Sequence, residues 1–272
     1  MPSPKKKYKR ITTNSLLEMK KNKEKIAMLT AYDFTLAKLV DASGIDIILV
    51  GDSASNVMAG HETTLPITLD QMIYHASSVI RGVDRALVVV DLPFGTYQSN
   101  SKIALESAIK IMKQSGAHSV KLEGGSEVRE SMERIIQAGI PVMGHLGLTP
   151  QSIYKFGTYS VRAKNEDEAN KIIDDAKMLE KIGCFGIVLE KIPALLSKKI
   201  AEIVKIPVIG IGAGKDVDGQ VLVLHDMLGM TQDFSPRFLR RYLDLKSEIT
   251  NAIRSYTSDV KLLKFPSDSE QY

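Results

Sequence analysis

The sequence predicts an α/β fold, a closed (β/α)8 barrel. Three observations carry this: eight short apolar runs, helical periods between them across about 200 residues, and a glycine at four of the helix-to-run joints. The runs are continuously apolar rather than alternating, which is the pattern of parallel strands covered on both faces. An open doubly wound sheet is the alternative, but it more naturally carries fewer parallel strands.

In chain order, the first run is Ile26–Leu29, followed by Tyr32 and Asp33 as structural or ligand-facing residues at its end. Gly44 precedes the second run, Ile45–Val50, and Ala86–Val90 is the third. A stripe of Ala104, Leu105, Ala108, Ile109 and Met112 marks a helix that closes on Gly116 before the fourth run, Val120–Leu122. Gly139 precedes the fifth, Pro141–Met143. Thr149 and Pro150 then read as N-cap and first helical residue. Asn165 with Glu168 reads as a capping box opening a helix. Its buried stripe is Ala169, Ile172, Ile173, Ala176 and Leu179, opposite Glu168, Lys171, Asp175 and Lys181. Gly183 closes that helix before the sixth run, Gly186–Leu189; Pro207–Ile211 and Val221–Leu224 are the seventh and eighth. Glycine suits each joint because it enters the left-handed region at little cost. The chain from 1 to 272 reads as one barrel domain with a basic tail at 1–10 and a polar helical extension at 237–272, its end at Pro266–Tyr272 frayed.

Composition narrows the class. The 272 residues are 44% hydrophobic and 25% charged, as in ordinary globular proteins. The lone Cys184 excludes an internal disulfide framework and a cysteine zinc site, and fits a reducing cytoplasm. Net charge is +4, but Lys5, Lys6, Lys7, Lys9 and Arg10 supply five of 36 basic groups, leaving 31 against 32 acids. The body is therefore near neutral, which argues against nucleic acid as a partner. No apolar run approaches the ~20 residues of a membrane span, and no apolar signal segment follows the basic start.

The placement of charge is the functional clue. Asp52 follows the second run, Asp91 the third, His145 the fifth and Glu190 the sixth, while Lys121 and Glu123 share one face of the fourth. In a barrel all strand C-termini open at one mouth, where catalytic groups from different strands meet. Each residue alone also reads as a turn or cap, yet caps favour Ser, Thr, Asp and Asn over Glu, Lys and His. Carboxylates without cysteines suit a hard divalent cation, a lysine can hold a substrate carboxylate, and a remaining glutamate can act as base. Such a set forms an enolate from a 2-oxo acid. Gly210–Gly214 has neither dinucleotide nor Walker A spacing and reads as a turn. His61, His75, His118 and His225 have no metal-ligand spacing among themselves.

At these residues the chain closely resembles the ketopantoate hydroxymethyltransferase family. The matching stretches are Thr30–Asp33 (TAYD), Val50–Ser53 (VGDS), Gly60–Thr68 (GHETTLPIT), Asp91–Phe94 (DLPF) and Lys121–Gly125 (KLEGG). Gly144–Gln151 (GHLGLTPQ), Val188–Pro193 (VLEKIP) and the motifs from Ile206 to Asp226 follow in the same order. The resemblance implies a barrel of the phosphoenolpyruvate/pyruvate-enzyme type. It assigns Asp52, Asp91 and Glu123 to one Mg²⁺ per subunit, Asp52, Ser53, Asp91 and Lys121 to the 2-oxo acid, and Glu190 as proton acceptor. The implied reaction moves a one-carbon unit from 5,10-methylenetetrahydrofolate to 3-methyl-2-oxobutanoate, giving 2-dehydropantoate for pantothenate and coenzyme A. Glu190 would deprotonate C3, and the enolate would attack the folate-derived methylene iminium. A cytoplasmic homo-oligomer, often a decamer, is implied too. The segment Gly157–Ala163 departs from the family's Gly-Gly-Tyr-Lys-Val-Gln-Gly, losing two glycines and a lysine. Two other readings compete: another Mg²⁺-dependent 2-oxo acid C–C lyase on the same barrel, and a non-catalytic scaffold or nucleic-acid binder using its tail.

Overall fold

A computed structural model describes residues 9–231 and 234–272. The tail residues Lys5, Lys6 and Lys7 lie outside the described residues. The chain divides into two compact units, Met1–Val223 and Leu224–Tyr272.

The first unit is a closed barrel of eight parallel strands in sequence order: β1 (Ile26–Thr30), β2 (Ile47–Val50), β3 (Leu87–Asp91), β4 (Ser119–Glu123), β5 (Val142–Gly147), β6 (Gly186–Glu190), β7 (Val208–Ile211) and β8 (Gly219–Leu222). All eight predicted runs are strands. The eighth begins two residues earlier than its apolar pattern suggests, because Gly219 lies against the Ile26 backbone, where a Cβ would collide. Among the described residues, nine helices belong to this unit: α1 (Thr13–Lys21), α2 (Phe34–Ala42), α3 (Ala54–Val57), α4 (Leu69–Gly82), α5 (Ser101–Ser115), α6 (Arg129–Gln137), α7 (Ile153–Phe156), α8 (Glu166–Ile182) and α9 (Ala194–Ile203). No helix separates β7 from β8; residues 212–218 connect them directly, the one break in the predicted alternation. The four joint glycines, Gly44, Gly116, Gly139 and Gly183, all have positive φ, from 77° to 100°.

Two predicted helix faces are corrected. On α5, Ser107, Ile111 and Ser115 are buried with Ala104 and Ala108, whereas Ile109 is exposed. Ser115 can turn inward because its hydroxyl donates to the Ile111 carbonyl (2.6 Å). On α8, Asp175 is buried rather than solvated: it accepts the Ser126 backbone N–H (3.0 Å) and pairs with Lys171 (2.6 Å). The helix ends also differ. Asn165 caps α8, but Glu168 reaches past the cap to the backbone N–H of Ala163 (2.8 Å). Pro150 starts a 3-10 turn, with Thr149 supplying no side-chain cap.

The barrel interior is an apolar cluster of Ile26 and Met28, Ile47 and Leu49, Leu87 and Val89, with Met143, Val188, Ile209 and Val221. Within each strand these are alternate residues, as the pleat requires. Leu16 and Met19 of α1, which the periodicity analysis did not single out, complete the cluster. Lys20, one residue on, donates to the Ile206 carbonyl (2.8 Å) and pairs with Asp218 (2.8 Å), just ahead of β7 and β8. The helix therefore plugs the end of the barrel where strands begin, each buried side chain contributing roughly 1.5–3 kcal/mol.

The second unit holds a short helix, α10 (Leu224–Met227), and a long one, α11 (Leu245–Lys261), started by Asp244, whose side chain accepts the Ser247 N–H. Ser267 and Glu270 form a reciprocal cap around a 3-10 turn at Asp268–Glu270, so the predicted frayed end has local structure.

Candidate active site

The inward alternation that builds the apolar layer also builds the site. Two places beyond Val89 stands Asp91, beyond Met143 stands His145, and beyond Val188 stands Glu190. Lys121 and Glu123 occupy the same face of β4, paired in register with Asp91 and His145 respectively. The strands thus change from apolar to charged one layer below the mouth.

Asp52 joins them from the turn after β2. Its backbone N–H donates to Asp91 Oδ2 (3.1 Å), and Gly51 makes the approach possible, since a Cβ there would stand 2.7 Å from the Ser53 hydroxyl. Ser53 Oγ lies 2.8 Å from the Tyr32 hydroxyl, so Tyr32 supports the site from the turn after β1, while Asp33 caps α2. Lys121 Nζ sits 2.9 Å from Asp91 Oδ1. Gly147, at φ 94°, brings the chain after β5 against the Glu190 carbonyl, which accepts the Leu148 N–H (2.9 Å). A side chain at 147 would strike that carbonyl and displace Glu190.

Asp52, Asp91, Lys121, Glu123 and His145 are all at most 6% exposed, whereas the Glu190 side chain is 16% exposed. Burial, then the neighbouring Asp91 and Glu123 charges, hold Asp52 well above the usual carboxylate range against the pull of Lys121 and Gln151. Burial likewise raises Asp91, with Lys121 opposing. Burial disfavours the Lys121 ammonium, but Asp91, Glu123 and Asp52 outweigh it and raise its pKa. His145 lies between two carboxylates: Nδ1 is 3.5 Å from Glu123 Oε1, and Nε2 is 3.4 Å from Glu190 Oε2. Burial and Lys121 push its pKa down, yet Glu123 and Glu190 prevail and lift it to about 9.

The donor set fits a divalent cation. When fully ionised, four carboxylates face two cationic side chains, an excess of two negative charges in a buried place. All the carboxylate donors are hard oxygens, which Mg²⁺ prefers. Among the described residues, no three His, Cys, Asp or Glu side chains close into a ligand shell. A cation here would therefore draw much of its shell from water and substrate, as Mg²⁺ commonly does.

Two features escaped sequence reasoning. Gln151, hydrogen-bonded to the Asp52 carboxylate, and Tyr97, bonded to the Glu123 backbone and to Gln151, are both buried; both are neutral, and nothing in their spacing distinguishes them. The second is where the segment Gly157–Ala163, noted above for its sequence, lies: it contacts Lys191, next to Glu190. Lys191 Nζ donates to the Tyr159 carbonyl (2.9 Å), and the Arg162 N–H donates to the Lys191 carbonyl (2.8 Å). Ala163 has a left-handed φ of 54°. A cavity of about 540 Å³, lined in part by Gly124, Thr149, Phe156, Arg162 and Lys171, includes none of the six clustered site residues in its lining. Two of the other histidines make structural contacts: His75 Nδ1 lies 2.8 Å from the Tyr32 carbonyl, and His118 Nδ1 accepts the Val88 N–H (3.0 Å). Gly212 and Gly214 have positive φ, and the Gly214 carbonyl accepts from Gln220 (2.8 Å), as befits a turn.

Comparison with known proteins gives a consistent answer. The ketopantoate hydroxymethyltransferase family profile matches residues 10–268, and the chain belongs to that family. The 3-methyl-2-oxobutanoate hydroxymethyltransferases of Flavobacterium johnsoniae and Cytophaga hutchinsonii are 74% and 67% identical to it, each over 272 residues covering all of both chains. Among solved structures, a phosphonopyruvate hydrolase in complex with oxalate and Mg²⁺ superposes with a TM-score of 0.59 at 11% identity, covering 95% of this chain and 93% of that one. A 2,3-dimethylmalate lyase of the PEP mutase/isocitrate lyase superfamily gives 0.58 at 13%, covering 96% and 91%. These neighbours share the barrel.

Proposed function

We propose that this member of the ketopantoate hydroxymethyltransferase family moves a one-carbon unit from 5,10-methylenetetrahydrofolate to C3 of 3-methyl-2-oxobutanoate at the strand-end mouth, giving 2-dehydropantoate. The chain is an enzyme, a hydroxymethyl transferase of pantothenate synthesis acting on 3-methyl-2-oxobutanoate. The observation that carries the site assignment is convergence: Asp52, Asp91, Lys121, Glu123, His145 and Glu190 come from the ends of five strands and meet in one buried cluster.

In this reading Asp52, Asp91 and Glu123 would hold Mg²⁺. When bound, the cation polarises the 2-oxo acid's oxygens, worth several kcal/mol in the transition state. Lys121 stays charged between carboxylates and offers a point charge to the substrate carboxylate, with Ser53 presenting a hydroxyl steadied by Tyr32. Glu190, the most open of the acids, takes the C3 proton on a carboxylate oxygen. His145 Nε2 lies 3.4 Å from that carboxylate. A positioned base of this kind typically accelerates the step by ~10²–10⁴. We place the enzyme in the cytoplasm as a homo-oligomer working on small molecules. The compartment reading rests on the lone Cys184, a buried free thiol pushed up to about 12 by burial.

The test is proton exchange. The enzyme with Mg²⁺ and 3-methyl-2-oxobutanoate in D₂O, without folate, should exchange the C3 proton, and chelation should stop it. Adding methylenetetrahydrofolate should then yield 2-dehydropantoate. Failure to exchange with Mg²⁺ present removes the enolate reading, and product formation without any folate removes the donor. Replacing Asp52→Asn together with Asp91→Asn should weaken Mg²⁺ binding; an unchanged titration rejects those ligands.

A further inference from the structure

Carboxylates that repel one another must be aimed by something other than a cation, and one residue outside the predicted set contacts two of them, Asp52 through its side-chain amide and Glu123 through its backbone N–H. Gln151 stands at the start of the 3-10 turn after β5, 6% exposed. Its Nε2 donates to Asp52 Oδ2 (2.8 Å) and to the Leu92 carbonyl (3.0 Å). Its Oε1 lies 2.7 Å from the Tyr97 hydroxyl and accepts from Gln98 Nε2 (3.0 Å). Its backbone N–H donates to Glu123 Oε2 (2.9 Å). We infer that Gln151 is a positioning residue for the cation-holding carboxylates, with Tyr97 setting the sense of its amide. The inference rests on the cation site proposed above.

The amide has two donors and two acceptor lone pairs, and all four are used. Acceptors lie on one side and donors on the other, so only one of its two orientations satisfies the cluster. Tyr97 reinforces that choice: its oxygen receives the Glu123 N–H (3.1 Å), and its own proton points to Gln151 Oε1. In consequence, one oxygen of each carboxylate is committed. Asp52 Oδ2 faces the amide, leaving Oδ1, which has no hydrogen-bond donor among the described residues. Glu123 Oε2 faces the backbone N–H, while Oε1 lies 3.5 Å from His145 Nδ1. A glutamate at 151 would set an oxygen against Asp52 Oδ2, so the neutral amide is what the geometry requires. Because Gln151 acts on ligands and not on substrate, its loss should appear as weakened cation binding that excess metal overcomes.

The experiment titrates the metal-free full chain with Mn²⁺, following free ion by EPR, for the parent, Gln151→Ala, Tyr97→Phe and the double variant, and then measures C3 exchange as a function of Mn²⁺. The expected result is a 10- to 100-fold weaker Mn²⁺ affinity for Gln151→Ala, with exchange returning near the parent rate at saturating metal. Tyr97→Phe should lose less, and the double variant should lose little more than Gln151→Ala alone, as groups acting through one another do. Unchanged affinity in a parent that binds Mn²⁺ overturns the inference. So does a rate that saturating metal fails to restore, since that marks a purely structural part. If Gln151→Ala does not fold, Tyr97→Phe decides by the same two criteria. A parent that binds no Mn²⁺ overturns the cation site itself and this inference with it.

Discussion

Glu190→Gln is the sharpest probe of the mouth. The substitution keeps the side chain's shape at the end of β6 and removes both the proton-accepting oxygen and the negative charge 3.4 Å from His145 Nε2. A lost general base costs ~10²–10⁴ in rate, or roughly 3–5 kcal/mol of barrier. The exposure of the side chain, 16%, leaves room for water to act weakly in its place, so a small residual rate is expected. C3 exchange in D₂O, read by proton NMR, should fall by at least ~10²-fold, while the ketoacid still binds with Mg²⁺. The same variant should lower the pKa of His145, because one of the two carboxylates that lift it to about 9 is gone. Exchange at an undiminished rate removes Glu190 from its role. An unmoved imidazole titration refutes the geometry that joins the two residues.

Other perturbations follow from the same structure. His145 rises from 6.5 to about 9 on folding, so in the metal-free protein it contributes about 3 kcal/mol that is fully present below pH 6.5 and lost as pH climbs through 9; urea unfolding across that window should show the decline, and a flat profile rejects it. Leu16→Ala empties a fully buried position in the barrel plug and should cost about 2–5 kcal/mol by the same measurement. Ala163→Gly relieves a left-handed residue and should stabilise the fold by roughly 1 kcal/mol, offset in part by the added freedom of the unfolded chain.

The strands were legible because continuous apolar runs have few other uses, and the site because charged residues so seldom end such runs. What stayed hidden depends on partners far away in sequence. Asp175 sits where α8's periodicity implies solvent, yet the backbone N–H of Ser126 draws it inside. Ser107 and Ser115 bury themselves on α5 in preference to the larger Ile109, since a small hydroxyl bonded to its own helix fits close to the sheet. Gln151 and Tyr97 carry no charge and stand 54 residues apart, so only their hydrogen bonds identify them. The plug was missed because α1 buries just Leu16 and Met19, too few to mark a stripe.

The spacing of two between Val89 and Asp91, Met143 and His145, and Val188 and Glu190 has a bearing on assembly as well as on chemistry. A strand that mispairs by one place turns its ionisable residue outward among the surrounding helices, and one that slides by two drives it down into oil. Either mistake strands a charge at a cost of several kcal/mol. The groups that perform the reaction therefore also proofread the threading of the strands that carry them.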